Sequence, residues 1–297
     1  TINVKIIINK KLMKINKFHK NLMILNNFNI YQYNQVKSDF AITLDKFMQA
    51  DIDIVIASIP QHISSFIRLC EVHPKKPKLI YQVGNSWTIN EGYAKNIMAS
   101  AIIPNVPADT NIVTYHQEFD LSIFCPTVGE PDKNIYSFVN CFNTAQHYKG
   151  DWLNFLEIEK QMPDWNFKSY GGSCRDGAAH GARALADKIR EARFVWQVKA
   201  GGDGYGHILH NAAACGRPMV TRRWDYVGKL GEQLLIDGIT CIGIEGLSNQ
   251  EIVNKIEYYN EPMRYAKMCV DTYQNFKKVV DFDKETRDLT RFLENLL

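Results

Sequence analysis

The feature that most limits the fold of this chain is the regular alternation of short β-rich apolar runs with longer segments of helical period, repeated from one end to the other. That alternation is the signature of open parallel sheets covered by helices. In the first half, Val4 to Ile8, Phe28 to Gln32, Ile52 to Ile59, Lys78 to Val83 and Ile112 to His116 read as strands. Lys11 to Ile24, Phe40 to Gln49, Ile63 to Val72 and Ile89 to Met98 read as helices between them. The run from Asp51 to Pro60 ends in a turn residue straight after an apolar strand, which suits a central strand buried on both faces. Two prolines and a glycine break the pattern from Cys125 to Lys133, which reads as a linker. A second alternation follows. Its strands are Tyr136 to Cys141, Trp165 to Tyr170, Phe194 to Val198, Met219 to Thr221 and Cys241 to Ile244, with helices near 151–161, 179–191, 206–215 and 227–236. From Asn249 to Leu297 the pattern is helical, with a break at Pro262. The expected architecture is α/β: two Rossmann-like, doubly wound domains facing a crevice, 1–128 and 129–272, with a C-terminal helix, 273–297, packing back towards the first.

The 297 residues are enough for two such cores, and no run approaches the length of apolar chain that a membrane-spanning helix needs. No signal peptide is visible before the first strand-like run, and the scattered cysteines suit a reducing cytoplasm, so a cytoplasmic protein is expected. Seven cysteines are scattered without Cys-x-x-Cys or a histidine pair at zinc spacing, which favours free, mostly buried thiols and no metal. The net charge of +3 is uneven: residues 1–38 hold seven lysines and no Asp or Glu. That end is either a solvated helix face or a surface for anionic partners, including a membrane to which the protein would be peripheral.

The segment that carries the most chemistry runs from Phe194 to Val220. A strand leads into Lys199-Ala-Gly-Gly-Asp-Gly-Tyr-Gly206, then a helix beginning at Gly206–His207, then Gly216 as its C-cap and Pro218 opening the next strand. Glycines that let a backbone approach closely, set before free amides at a helix N-terminus, make an anion site fit for a nucleotide diphosphate; the alternative is a plain tight turn. The segment resembles the donor-binding motif of GT-B glycosyltransferases, in particular the large retaining family with an E-x7-E signature (glycosyltransferase family 4-like). Asp203 stands at the first acid, followed by Gly204, Tyr205 and Gly206, and Asn211 stands eight residues later, before Ala212, Gly216 and Pro218. The resemblance implies that Asp203 lies near the transferred sugar and that Asn211 meets the ribose hydroxyls, with an amide where the family has a carboxylate. His207 shares a helix face with Asn211 and is either a donor contact or a surface histidine.

The family also clamps the diphosphate with Gly-Arg and Lys-Gly after the first strand of its C-terminal domain. Here Lys149-Gly150 reproduces the lysine, and Asn143 stands about where the arginine would be. Lys149 is therefore the candidate diphosphate lysine, Arg175 a candidate replacement fork, and Gly202, Gly204, Tyr205 and Gly206 the cradle. With cations at the leaving diphosphate, no metal or other cofactor is expected beyond the donor itself. In the first half, Gly84 and Asn85 after one strand, and His116 and Glu118 after another, are acceptor-side candidates; His116 is the catalytic candidate beside Asp203, with Glu118 or Asp120 as its partner. The implied activity is sugar transfer, retaining and metal-independent, from a nucleotide sugar to an acceptor such as an anionic lipid, a polysaccharide or modified nucleic acid. A non-catalytic sugar-nucleotide or polyanion binder, and a nucleotide-sugar epimerase or hydrolase, would leave similar traces.

Overall fold

Two parallel five-stranded sheets organise the computed structural model of the chain, which describes residues 2–3, 22–25, 41–42, 44–58, 63–84 and 95–297. The chain divides into two units, Thr1–Glu118 with Phe282–Leu297, and Phe119–Asp281.

In the first unit the sheet runs in the order β2 (Leu22–Leu25), β4 (Ile54–Ala57), β5 (Lys78–Val83), β6 (Asn96–Ala99), β7 (Asn111–Thr114), every pair parallel. A short antiparallel pair joins β1 (Ile2–Asn3) to β3 (Ala41–Ile42). Strand alternation divides the core cleanly. Val55, Ala57, Leu79, Tyr81, Val83, Ile97 and Ala99 pack with Phe47 of α1 (Leu44–Gln49) and Ile63, Phe66 and Cys70 of α2 (Ile63–Val72). Ile54, Ile56, Ile80 and Met98 face the other way, onto Leu289, Phe292 and Leu293 of the C-terminal helix α8 (Phe282–Glu294).

The second unit orders its strands β9 (Asn166–Ser169), β8 (Asn134–Ser137), β10 (Phe194–Trp196), β11 (Met219–Thr221), β12 (Cys241–Gly243), again all parallel. Ile135, Phe167, Phe194, Trp196, Val220 and Ile242 form one buried face. Against it pack Phe155 and Ile158 of α3 (Lys149–Gln161), Ile252 and Ile256 of α6 (Asn249–Asn260), and Tyr265 and Met268 of α7 (Pro262–Val279). The helices α4 (Gly181–Glu191) and α5 (His207–Ala214) complete the unit. Local chemistry sets the breaks in the tail. Ser248 and Glu251 form a reciprocal capping box at α6, and Glu261 accepts the Met263 and Arg264 amides ahead of α7, whose first residue is Pro262.

Several sequence expectations are corrected. The expected helix Ile89–Met98 ends in β6, and the expected helix Lys11–Ile24 ends in β2, because a four-residue strand is too short for its apolar pattern to be told from a turn of helix. A 3-10 turn, Leu230–Leu234, preceded by another at Arg223–Tyr226, stands in place of the helix expected over 227–236. The expected strands Val4–Ile8 and Phe28–Gln32 lie outside the described residues. The proline-containing run 125–133 lies within the second unit, where buried Arg193 donates to Glu130 (3.2 Å) and to the Pro131 carbonyl (3.1 Å) and rests over Tyr265 at 4.0 Å. Among the described residues no helix is long and apolar enough to cross a membrane.

All seven cysteines are free thiols, but only Cys70, Cys215 and Cys241 are buried. Burial pushes Cys70 and Cys215 up to about 12, and Cys241 higher still. A thiol reagent at mildly alkaline pH is therefore expected to modify the half-exposed Cys125, Cys141 and Cys174 in the native protein and to spare those three until unfolding. Mass mapping that finds the three labelled as fast as the others would contradict this packing.

Candidate functional site

Because the second sheet is all parallel, the loops leaving its strands emerge at one edge. The strand order places β8 and β10 side by side with the chain departing from them in opposite directions, and that switch point is where open α/β sheets bind ligands. The loop after β10 is the glycine turn, and the loop after β8 leads into α3. One carboxylate ties them together. Asp151, in the first turn of α3 and buried, accepts the Ala200 backbone N–H at 2.6 Å and the Arg222 guanidinium at 2.7 Å. Arg222 also donates to Asp225 at 2.9 Å, so the loop after β11 is bound into the same network. Burial works against the Arg222 charge, but the hydrogen bonds to Asp151 and Asp225 carry its pKa above the ordinary arginine value.

The turn itself is tightly built. Gly202 has φ +57°, and a side-chain carbon there would stand 2.5 Å from the Asp225 carbonyl oxygen. Lys229 clamps the assembly from outside, donating to the carbonyls of Gly201 and of Asp225, the latter at 2.6 Å. Gly206, at φ +81°, opens α5 without any side-chain cap, so no capping side chain takes the first amides of that helix. Tyr205 is buried and stacks on His210 at 4.2 Å between ring centroids, and His210 Nδ1 lies 2.8 Å from the Gly206 carbonyl.

The sequence candidates fall as follows. Asp203 is held by Lys199 and accepts from Gln197 at 3.0 Å, with the Tyr226 hydroxyl 3.5 Å from the same Gln197 nitrogen. Gly204 joins Asp203 to the buried Tyr205 in the turn. His207 is exposed at the head of α5 and meets Tyr205 edge-on at 5.0 Å. The chain gathered around its imidazole lowers the pKa by desolvation, with the Asp203 charge pulling the other way. Asn211 is buried in α5, and its Oδ1 has no hydrogen-bond partner among the described residues. Lys149 is the exposed first residue of α3, where an unpaired cation opposes the helix dipole unless an anion stands near.

Arg175 is placed differently from the expected phosphate fork. Its three nitrogens are taken by Glu159 (2.7 Å), Asp176 (3.0 Å) and the Phe167 carbonyl (2.6 Å), and its plane lies over Trp152 at 5.5 Å. In the first unit, Gly84 directly follows β5, Asn85 lies outside the described residues, and Glu118 is half-buried. His116 pairs with Glu285 of α8, a partner beyond the expected Glu118 or Asp120. The two Glu285 carboxylate oxygens meet the His116 backbone N–H at 2.8 Å and Nδ1 at 2.6 Å. Asp120 accepts from the Ser122 amide and hydroxyl, at 2.9 and 2.6 Å.

Sequence reasoning passed over Asp151, Lys199, Gln197, Arg222 and Glu285. For Arg222 a signal existed, since it directly follows a strand at the ligand-facing edge of a parallel sheet. No group of His, Cys, Asp and Glu among the described residues could hold a metal ion. A cavity of about 470 Å³ lies elsewhere in this unit, lined by Glu130, Asp132, Asp187, Arg190 and Arg217 among others. Its arginines are committed internally, Arg190 to Asp187 and the Ile123 carbonyl, Arg217 to the Arg190 carbonyl. The turn at the switch point is the better candidate.

No family model and no curated protein matches the chain. Solved structures share its fold. HepE of Anabaena, in complex with UDP and glucose, is 11% identical with a TM-score of 0.72, over 96% of this chain and 95% of that one. A glycosyltransferase of Rickettsia africae is 11% identical with a TM-score of 0.70, over 97% and 94%. The pneumococcal O-GlcNAc transferase GtfA, in complex with UDP and GlcNAc, is 16% identical with a TM-score of 0.57, over 82% of this chain and 56% of that one.

Proposed function

We propose that this chain is a nucleotide-sugar-dependent glycosyltransferase of the GT-B type, retaining and metal-independent, with its donor site on the second unit. The observation that carries the reading is the glycine turn at the sheet's switch point, followed by an uncapped helix that holds Asn211 eight residues after Asp203. The glycosyltransferase neighbours support it through their fold. In the reaction proposed, the bond from the anomeric carbon to the diphosphate breaks and a bond to an acceptor hydroxyl forms on the same face, the hydroxyl proton passing to the departing phosphate oxygen. Lys149 and the α5 amides offset the charge that grows there. Asp203 positions the sugar, and the acceptor is taken up by the first unit, with His116 orienting its hydroxyl. The lysine-rich start suits an anionic acceptor.

One observation favours a second reading, a sugar-nucleotide binder without turnover: Asn211 replaces a carboxylate, weakening the hold on ribose. A heat-stability and turnover series separates the two. UDP, the nucleotide to try first, is expected to raise the midpoint of the second unit by about 5–10 °C at a hundredfold excess over its dissociation constant. Lys149→Ala is expected to weaken UDP about tenfold, and Asp203→Ala to lower release of nucleoside diphosphate from sugar nucleotides about 100-fold. Binding without turnover across acceptors selects the second reading; free sugar or an isomer selects a hydrolase or epimerase. Unaltered kinetics in both variants would remove the site.

A further inference from the structure

The donor reading leaves the diphosphate short of an arginine, because Asn143 stands near the expected place and Arg175 is fully engaged elsewhere. We propose that Arg222 supplies the guanidinium fork to the donor diphosphate, held in position for it by Asp151 and Asp225. This rests on the donor reading and adds to it the residue that grips the second charged group of the nucleotide.

Arg222 is the first residue after β11, the strand next to β10, so it leaves the sheet at the same edge as the glycine turn. Its Nη1 donates to one oxygen of Asp151 at 2.7 Å, while the other oxygen of that carboxylate accepts the Ala200 N–H at 2.6 Å. The guanidinium thus stands a single carboxylate away from the opening amide of the turn. Its Nε is fixed by Asp225 at 2.9 Å, and its Nη2 makes no hydrogen bond among the described residues. Apart from Lys149, the cations around the turn are spent: Lys199 on Asp203, Arg223 on Glu245, and Lys229 on two backbone carbonyls.

A fork already ordered by two carboxylates loses little side-chain freedom when a phosphate arrives, which is the advantage of a preorganised arginine over a mobile lysine. The arrangement also makes Arg222 hard to replace. Without it, the buried Asp151 carboxylate would stand uncompensated beside the diphosphate, so repulsion would be added to the lost attraction.

The test compares nucleoside diphosphates with their parent nucleosides: UDP, GDP and ADP against uridine, guanosine and adenosine, measured by calorimetry and ligand-observed NMR. For the base that binds, Arg222→Gln is expected to weaken the diphosphate by about thirtyfold while the nucleoside stays within about twofold. Arg222→Lys should fall between, because charge returns without the planar fork. A purely structural lock would move diphosphate and nucleoside together, and that result overturns the proposal, as does an unchanged ratio. If Arg222→Gln fails to fold, the double variant Asp151→Asn with Arg222→Gln removes the stranded carboxylate and carries the same comparison. A wild-type chain that binds no nucleoside diphosphate overturns the donor reading together with this one; a wild type that binds UDP as tightly as the variant does overturns this one alone.

Discussion

Gly202→Ala is expected to cost the second unit about 2–4 kcal/mol and to remove nucleotide binding. Two terms add. The backbone at Gly202 is left-handed, φ +57°, where an alanine is disfavoured by about 1–2 kcal/mol. Its Cβ would also stand 2.5 Å from the Asp225 carbonyl oxygen and 3.2 Å from the Tyr226 ring. That carbonyl cannot retreat easily, because Lys229 donates to it at 2.6 Å and the Asp225 side chain is held by Arg222 at 2.9 Å. The turn must open instead, which moves the amides proposed to receive the diphosphate. Gly177→Ala is the matched control: φ is +79° but nothing lies within 4 Å, so only the backbone term, about 1 kcal/mol, applies. Chemical denaturation and UDP titration of both variants would check this. A Gly202→Ala protein as stable as the Gly177→Ala protein, with UDP affinity intact, would show that the turn is not locked against the 223–226 loop.

What the amino-acid sequence made legible follows the range of the forces involved. The strand Lys78–Val83 and the helix Ile63–Val72 have the bounds that their apolar patterns predict, because period and burial agree within each segment. The helix expected over 227–236 fails for a reason invisible to period. At Gly231 a side-chain carbon would meet Leu209 of α5 at 2.9 Å, so the chain there is shaped by close approach rather than by its own propensity. The glycine turn was readable because a phosphate-type turn is a local object, a strand, glycines and a helix start in one stretch. The network around it was not. Asp151 meets Ala200 across 49 residues and Arg222 across 71, and His116 meets Glu285 across 169. The fork was misplaced at shorter range, since Asp176 is the next residue and Glu159 lies 16 residues away, and only the folded loop shows that they meet Arg175. Arg175 follows a strand, as a phosphate ligand would, yet Glu159 and Asp176 neutralise it and the Trp152 ring covers it. A cation after a strand remains a candidate only where its partners leave a nitrogen over, as Asp151 and Asp225 do at Arg222 and as Glu159, Asp176 and the Phe167 carbonyl do not at Arg175.

Glu285→Ala is expected to be the second large effect, about 2–4 kcal/mol lost from the first unit and a C-terminal helix that opens early. Glu285 is buried, and its carboxylate receives both the His116 backbone N–H (2.8 Å) and Nδ1 (2.6 Å). Truncation takes from His116 the acceptor of two hydrogen bonds at a site that water reaches poorly, which is why the cost exceeds that of a surface ion pair. It also loosens the start of α8, whose far end is anchored by Leu289, Phe292 and Leu293 on the sheet. Glu285→Gln should cost only about 1 kcal/mol, since an amide oxygen can still accept from the His116 backbone while its NH2 group forces Nδ1 to change from donor to acceptor. The pair therefore separates two roles. If Glu285 serves only to fasten α8, turnover in Glu285→Gln follows its small loss of stability. If it also fixes the His116 tautomer for the acceptor step, turnover falls about tenfold or more while amide exchange in α8 stays slow. Hydrogen exchange along 282–294 reads the fastening directly, and protection in Glu285→Ala equal to wild type would mean that the apolar face of α8 holds it without the carboxylate.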